Sequence, residues 1–413
     1  MSAPRTDLDG ARVAIVNWRD LDHPLAGGAE HYAWHVARAV RDAGAEVEFL
    51  TARAPGQTRR ASVEGIRIDR AGGVLGFYPA ALARLLRRRR RIDLVVDCSA
   101  GIPAFSPLVL RRRTPVVLVV HHVHQDQFAT YFPRPVAALG RFLERASARV
   151  YRRRRVLAVS ESTRTEMRHR LAWHGPIGIL ANGADRPAVD VVPEAKQPGR
   201  IAVLGRLVTH KRVDAVVEAF AALLADPTGL APATAAGLHL DVVGAGPESP
   251  RLAARVAELG LAERVTLHGF VEETAKTELL TAASLHVCAS DAEGWGQVVI
   301  EAAAHGTPTL ARDVPGLRSS IRDGETGWLL PEADPEPLPQ RLLAGLRAAL
   351  VELDEPETAA LLVKRTQAHA AGHDWPAMHA RTRALLTTEL ATAASRRSPA
   401  IARPGRPDVA LER

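Results

Sequence analysis

Two carboxylates stand eight positions apart in VCASDAEGWGQVVIEAAAHGTP: Glu293 in a glycine-flanked turn and Glu301 in the alanine-rich segment behind it. Gly294 and Gly296 let backbone N–H groups approach an anion, and a helix beginning near Gln297 adds its positive end. Glu301, one turn into that helix, lies deeper, where a carboxylate accepting two hydrogen bonds suits the vicinal hydroxyls of a ribose. Glu293 then faces the other end of the same ligand. A second stretch, GRLVTHKRVDAVVEAF, places Arg206 and Lys211 at the end of a strand-like run and beside a helix start, where two cations can grip a diphosphate. Alone, that pair would also pass for solvated surface charges. In NWRDLDHPLAGGAEHYAWHV, Gly27 and Gly28 precede a helix beginning near Glu30, a further anion-binding helix start. His121, His122 and His124 end the apolar run VVLVVHH; their spacing has no fourth-ligand signature, so they read as neutral polar contacts near a reaction centre and not as a metal site. Gly244 and Gly246 in VVGAGPE do not complete a dinucleotide fingerprint, and no GxSxG, HExxH or Walker loop is present.

These residues need elements to position them, and short apolar runs alternating with helical patterns supply them. RVAIVNW and EVEFLTAR flank the amphipathic EHYAWHVARAVRDAG, closed by Gly44, and IDLVVDCS, PVVLVVHH, VLAVS and IGILANG follow. After the polar stretch ADRPAVDVVPEAKQPG the cycle restarts with RIAVLGR, LHLDVVGAG, RVTLHGF, SLHVCAS and TPTLARD. The fold class is α/β, with two doubly wound parallel-sheet domains: residues 1–186, a linker at 187–198, and residues 199–372. A helix over 373–393 follows, with a route back to the first domain, and a Pro/Arg-rich tail over 394–413 reads as disordered. In such sheets ligands bind at the carboxyl ends of the strands, which is where the residues above fall.

A chain of 413 residues, 46% hydrophobic and 24% charged, suits two ordinary globular domains. Its two cysteines, Cys98 and Cys288, form no metal or redox motif and point to a reducing compartment. No signal-peptide pattern opens the chain and no run reaches the ~18 apolar residues of a spanning helix, so it reads as cytoplasmic. Net charge is +8, and every basic residue before Lys196 is an arginine, with runs at Arg87 to Arg91, Arg111 to Arg113 and Arg152 to Arg155. Without interleaved aromatics these runs argue against nucleic acid and fit cations in the last turns of helices. They are also compatible with peripheral contact at the inner face of a membrane, although the sequence shows no apolar face to anchor it.

The ordered set AGGAE, VHHVHQ, VSESTR, ILANGAD, GRLVTHK, VVGAGPE, VTLHGFV and EGWGQVVIEAAAHGTP, from Val13 to Leu330, resembles the nucleotide-sugar-dependent glycosyltransferases of family 4, retaining enzymes of the GT-B fold. The resemblance implies two Rossmann-like domains facing each other across a cleft and transfer of a sugar from a UDP- or GDP-linked donor, itself a co-substrate, with no cofactor and no metal. Residue by residue, it implies that Arg206, Lys211, Gly27 and Gly28 hold the donor diphosphate. It puts Glu301 on the ribose and Glu293 on the transferred sugar. The backbone of Gly294, Trp295 and Gly296 lies beside sugar and phosphate, and Phe270 and Val271 lie where the base is held. His124 is the histidine near the reacting carbon, with His121 its competitor. Trp295 departs from the commoner E-G-F-G form, which raises a reshaped donor pocket. The acceptor stays open among lipid, polysaccharide and small natural-product metabolite, contacted through loops such as Gly72 to Pro79 and Gln125 to Pro135. Other classes consistent with the residues are a sugar-nucleotide epimerase or hydrolase and a non-catalytic nucleotide-sugar-binding module.

Overall fold

A computed structural model describes residues 8–73, 76–187, 190–332 and 334–395. Residues 74 and 75 of the Gly72 to Pro79 loop, 188 and 189 of the linker and 396–413 of the tail lie outside the described residues. The first sheet is built from β1 (Arg12–Val16), β2 (Glu46–Thr51), β3 (Arg60–Val63), β4 (Ile66–Arg70), β5 (Leu94–Ala100), β6 (Val116–His122), β7 (Arg155–Ala158) and β8 (Gly178–Ile179). Their order is β3-β4-β2-β1-β5-β6-β7-β8, parallel throughout except for the edge strand β3. Helices α1 (Gly28–Asp42), α2 (Phe77–Arg88), α3 (Gln127–Tyr131), α4 (Arg134–Val150) and α5 (Glu161–Leu171) occupy the connections. Successive strand residues point to opposite faces. Val13, Ile15, Leu94 and Val96 therefore pack with α1, while Ala14, Val16, Val95 and Leu118 pack with α2 and α5. Burial on both faces is why β5 and β6 read as continuous apolar runs.

The second sheet runs β11-β10-β9-β12-β13-β14, all parallel. Its strands are β9 (Gln197–Leu204), β10 (His239–Val243), β11 (Val265–Gly269), β12 (Ala283–Cys288), β13 (Thr309–Arg312) and β14 (Gly327–Leu330). The helices are α6 (Val213–Ala225), α7 (Pro232–Ala236), α8 (Ser249–Glu258), α9 (Glu273–Ala282), α10 (Gln297–Ala304), α11 (Pro315–Ser320), α12 (Leu338–Leu353), α13 (Pro356–Ala371) and α14 (Trp375–Ser395). Ile201, Val203, Leu240 and Val242 face α6, α8 and α12; Ala202, Leu204 and Val243 face Leu280 of α9 and Ala302 of α10.

The structure adds one element to the sequence reading and moves two of its boundaries. The charged stretch 59–70 holds a hairpin, β3–β4, whose turn residues Glu64 and Gly65 both take positive φ (51° and 79°), as a two-residue hairpin turn requires. β9 already begins at Gln197, inside the stretch expected as linker, and α14 extends to Ser395, into the stretch expected as tail.

The domains share one apolar cluster. Trp34 and Val36 of α1 and Leu180 pack with Trp295, Ile300 and Ala303 of the second domain and with Trp375, Met378 and Leu386 of α14. α14 lies along α1: the His35 ring stacks on Trp375 at 3.6 Å with 1° between planes, His35 Nδ1 lies 3.0 Å from His379 Nε2, and Arg155 pairs with Glu389 at 2.7 Å. The Ala184 N–H donates to the His373 carbonyl just before α14 begins. The last helix thus straps the second domain to the first. Trp375→Ala should remove about 3 kcal/mol or more from stability, read as a lower denaturation midpoint, because a large buried ring is lost from the seam. An unchanged midpoint would mean that α14 does not hold the domains in solution.

Candidate active site

The turn 289–296 follows β12 and leads into α10, and it is pressed against the end of β6 in the other domain. A Cβ at Gly294 would collide with the His121 carbonyl oxygen, so only glycine allows the approach. Ser160, the N-cap of α5, donates its hydroxyl to the Gly294 carbonyl at 2.7 Å, and the Thr163 hydroxyl lies 3.2 Å from the same oxygen. Gly296 caps α10 with φ +75°, and its missing side chain makes room for Ser320. On the outer side, Gly316 at the start of α11 packs on the Glu293 backbone.

Arg206, Lys211 and Glu293 come together beside this turn, while Glu301 lies farther along α10. Lys211 forms an ion pair with Glu293, both side chains only about 15% exposed, and Ser290 donates to the same carboxylate oxygen at 2.8 Å. Burial alone would raise the Glu293 carboxyl, but the charge and hydrogen bond of Lys211 outweigh it and leave Glu293 below the usual carboxylate range. Lys211 correspondingly stays above its ordinary value despite burial. Arg206 is exposed toward the first domain, its Nε 3.4 Å from where a Gly27 Cβ would stand. Its loop is fixed by the glycines of VVGAG: the Leu207 N–H donates to Ala245, and a Cβ at Gly244 would strike the Gly205 carbonyl.

α1 begins at Gly28, two residues earlier than the sequence suggested, with Gly27 as its cap. The Gly27 N–H donates to Glu30 at 2.8 Å. A Gly28 Cβ would rest 3.7 Å from the Gln297 Cβ, so the amino ends of α1 and α10 abut across the seam. The Gln297 amide locks that approach, accepting from Asn182 at 2.9 Å and donating to the Gly183 carbonyl at 2.7 Å. Two helix amino termini, Arg206 and Lys211 converge, with Arg19 close enough to Arg206 for each to feel the other's charge. Burial, offset in part by Arg19 and the Gly27 N–H, pushes Glu30 up.

The histidines stand opposite. His121 is buried, edge-on to Tyr32 at 4.8 Å, and burial drives it down to about 3. His124 is half-buried under Gly101, which has φ +107°. Its Nδ1 lies 3.0 Å from the His122 carbonyl; a carbonyl only accepts, so Nδ1 carries the proton and Nε2 is the acceptor. Burial lowers His124 to about 4, with His210 of the Lys211 loop contributing. What holds this loop is a residue distant in sequence and not marked by any motif. Glu144 of α4, buried and pushed up by burial to about 7, accepts from the His124 N–H and from Gln125, each at 2.6 Å. Among the described residues no His, Cys, Asp or Glu group is arranged to hold a metal ion.

The far end of the site is less assembled. Glu301 points from α10 toward Lys276 of α9, 3.3 Å away, and Lys276 also pairs with Glu273 at 2.9 Å. Phe270 is 82% exposed just after β11, while Val271 packs with Leu204 and Val243. The Trp295 indole is buried in the seam, edge-on to His373 at 5.0 Å, and its backbone belongs to the turn. Beside the loop carrying Gly27, a cavity of about 920 Å³ opens at the carboxyl ends of β1, β2 and β4, lined by Trp18, Arg19, His23, Arg53 and Arg59 among others.

Two Rossmann-like α/β domains meeting over such a seam make the GT-B fold. Two family models match: Glycosyltransferase Family 4 over residues 26–186 and Glycosyl transferases group 1 over residues 188–349. The D-inositol 3-phosphate glycosyltransferase of Nocardia farcinica is 34% identical over 219 residues, a match covering 47% of this chain and 46% of that relative, less than half of its length. The enzyme of the same name from Thermobispora bispora is 27% identical over 94% of this chain and 97% of its own. Sucrose-phosphate synthase from Thermosynechococcus elongatus superposes with a TM-score of 0.75, at 21% identity, over 92% of this chain and 100% of that one. The chain belongs to glycosyltransferase family 4.

The depressed histidines set a pH dependence. An unfolded histidine titrates near about 6.5, so as pH falls the unfolded chain binds protons before His124 (about 4) and His121 (about 3) do. Their contribution is complete above about pH 6.5 and is lost as pH falls toward 4. Melting temperature should drop steadily over that window, and His124→Asn should flatten the slope. An identical slope in the variant would show that His124 titrates normally.

Proposed function

We propose that the protein moves a sugar from a UDP- or GDP-linked donor to an acceptor hydroxyl with retention of configuration and without a metal. The observation that carries this is the convergence of Arg206, Lys211 and the amino ends of α1 and α10 on one point, beside the Glu293 turn and opposite His124. A diphosphate at that point is held by charge and by backbone N–H groups. The sugar then lies between Glu293, the Gly294 to Gly296 backbone and His124. His124 Nε2 accepts from a sugar hydroxyl, and Glu293, kept ionised by Lys211, accepts from another. Glu301 receives the ribose hydroxyls on exchange with Lys276, and the base lies on the backbone at Phe270 and Val271.

In the reaction the bond from the anomeric carbon to the phosphate oxygen breaks, and the nucleoside diphosphate leaves with the electron pair. The acceptor oxygen forms the new bond on the same face, and its proton passes to the departing phosphate. Arg206, Lys211 and the helix termini stabilise the charge that develops on the diphosphate, a preorganised electrostatic contribution that requires no ion. The cavity beside Arg19 gives the acceptor room, and its arginines suit an anionic group.

Calorimetry of the purified protein against UDP, GDP, ADP, dTDP and their sugar conjugates, with and without EDTA, tests the reading; tight binding of one nucleotide that survives EDTA supports it. Lys211→Ala and Glu301→Ala should each weaken donor binding by roughly ten- to a hundredfold while the circular dichroism spectrum stays native. Unchanged affinity in both variants would remove this site from the proposal.

A further inference from the structure

α4 buries Ala137, Gly140, Glu144 and Ser147, one stripe at helical spacing. Its other face is apolar and open: Val136 is 45% exposed, Leu139 56% and Phe142 65%, with Phe132 39% exposed just ahead. Arg134, Arg145 and Arg149 are exposed around them, and the helix's one acidic residue, Glu144, points inward to the His124 loop. The structure thus has an exposed apolar face that the sequence reading did not find. Beyond Val150 the chain turns into the run Arg152 to Arg155, and Arg154 donates to the carbonyls of Thr114 (2.9 Å) and Arg112 (3.3 Å), which brings Arg111 to Arg113 alongside. β5, β6 and β7 are neighbours, so three arginine runs distant in sequence gather at their amino ends. Arg88, Arg154 and Arg155 have partners within the fold; Arg89, Arg90, Arg91, Arg111, Arg112, Arg113, Arg152 and Arg153 are exposed.

We propose that this face, with α4 at its centre, docks the protein on the surface of an anionic lipid bilayer. Apolar side chains ringed by arginines, with the acid turned inward, match an interfacial helix whose apolar residues enter the headgroup boundary while cations meet lipid phosphates. A soluble polyanion would engage the arginines but gain nothing from Leu139 and Phe142. A second copy, joined face to face about a two-fold axis, would set arginine against arginine. Among the described residues no helix is long and apolar enough to cross a membrane, so contact on this face is at the surface. Glu144 ties α4 to the His124 loop, so the helix that docks is also the one that holds that loop.

Flotation of the full chain with vesicles of phosphatidylcholine, alone or mixed with phosphatidylglycerol, reads the docking without any transfer reaction. The protein should float with the anionic vesicles and not the neutral ones, and high salt should release part of it. The double variant Leu139→Glu, Phe142→Glu should lower partitioning by roughly tenfold or more. Its native melting temperature and nucleotide affinity would show that the fold is intact. Equal flotation with both vesicle types would overturn the proposal. So would a double variant that still floats like the native chain, which would leave a polyanion site on the arginines. A native dimer that becomes monomeric in the double variant by light scattering would assign the face to a second copy instead.

Discussion

The Gly294 peptide is the contact on which the rest of the site depends. Its carbonyl is gripped by Ser160 and its missing side chain admits the end of β6, so one residue of the second domain is seated in the first. Glu293 is thereby placed beside Lys211, and Gly296 starts α10 where it abuts α1. Neither domain alone contains this arrangement. The shared apolar cluster and the α14 strap make the juxtaposition stable, and the polar contacts make it specific in register. A rotation between the domains would part Gln297 from Asn182 and Gly294 from Ser160 together.

Charge balance explains why the seam is poised. Positive ends of two helices, Arg206, Lys211 and Arg19 gather around a region whose neighbouring anions are already engaged: Glu30 by the Gly27 N–H and Glu293 by Lys211 and Ser290. The histidines facing it are held neutral by burial and add no further charge. An excess of fixed positive potential in a partly enclosed site is what an incoming anion relieves.

Much of this was legible in the sequence, for physical reasons that also mark the limit. The parallel sheets showed themselves because strands buried on both faces must be apolar throughout, as in VVLVVHH. The E-x7-E spacing and the glycines around it could be read because a tight turn before a helix restricts residue type. The β3–β4 hairpin was missed because an edge strand carries charge, and the helix starts and ends were displaced by a few residues as fraying ends usually are. The direction of a side chain that can turn either way was not legible. Trp295 lies beside the site in sequence and inside the seam in space; Glu144, 20 residues from His124, is the partner that fixes its loop. Nor could periodicity distinguish the outward face of α4 from a buried one, since Val136, Leu139 and Phe142 recur at helical spacing and only tertiary packing decides which stripe is covered.

The Lys211–Glu293 pair has a consequence for how such a site works. The lysine has one charge to share between a carboxylate it already neutralises and any phosphate that arrives. If a diphosphate draws Lys211 toward itself, Glu293 loses the interaction that holds its carboxyl low, and burial, the opposing effect, gains weight. On the proposed function, a hydroxyl of a sugar carried on the same diphosphate then takes up the acceptor capacity that the lysine gives up, and its hydrogen bond keeps the carboxylate ionised in the lysine's place. Ser290 keeps one carboxylate oxygen in place meanwhile, so the group is retuned without being released. On that reading, binding of the charged end of a ligand is coupled to recognition of its neutral end through the Lys211–Glu293 ion pair.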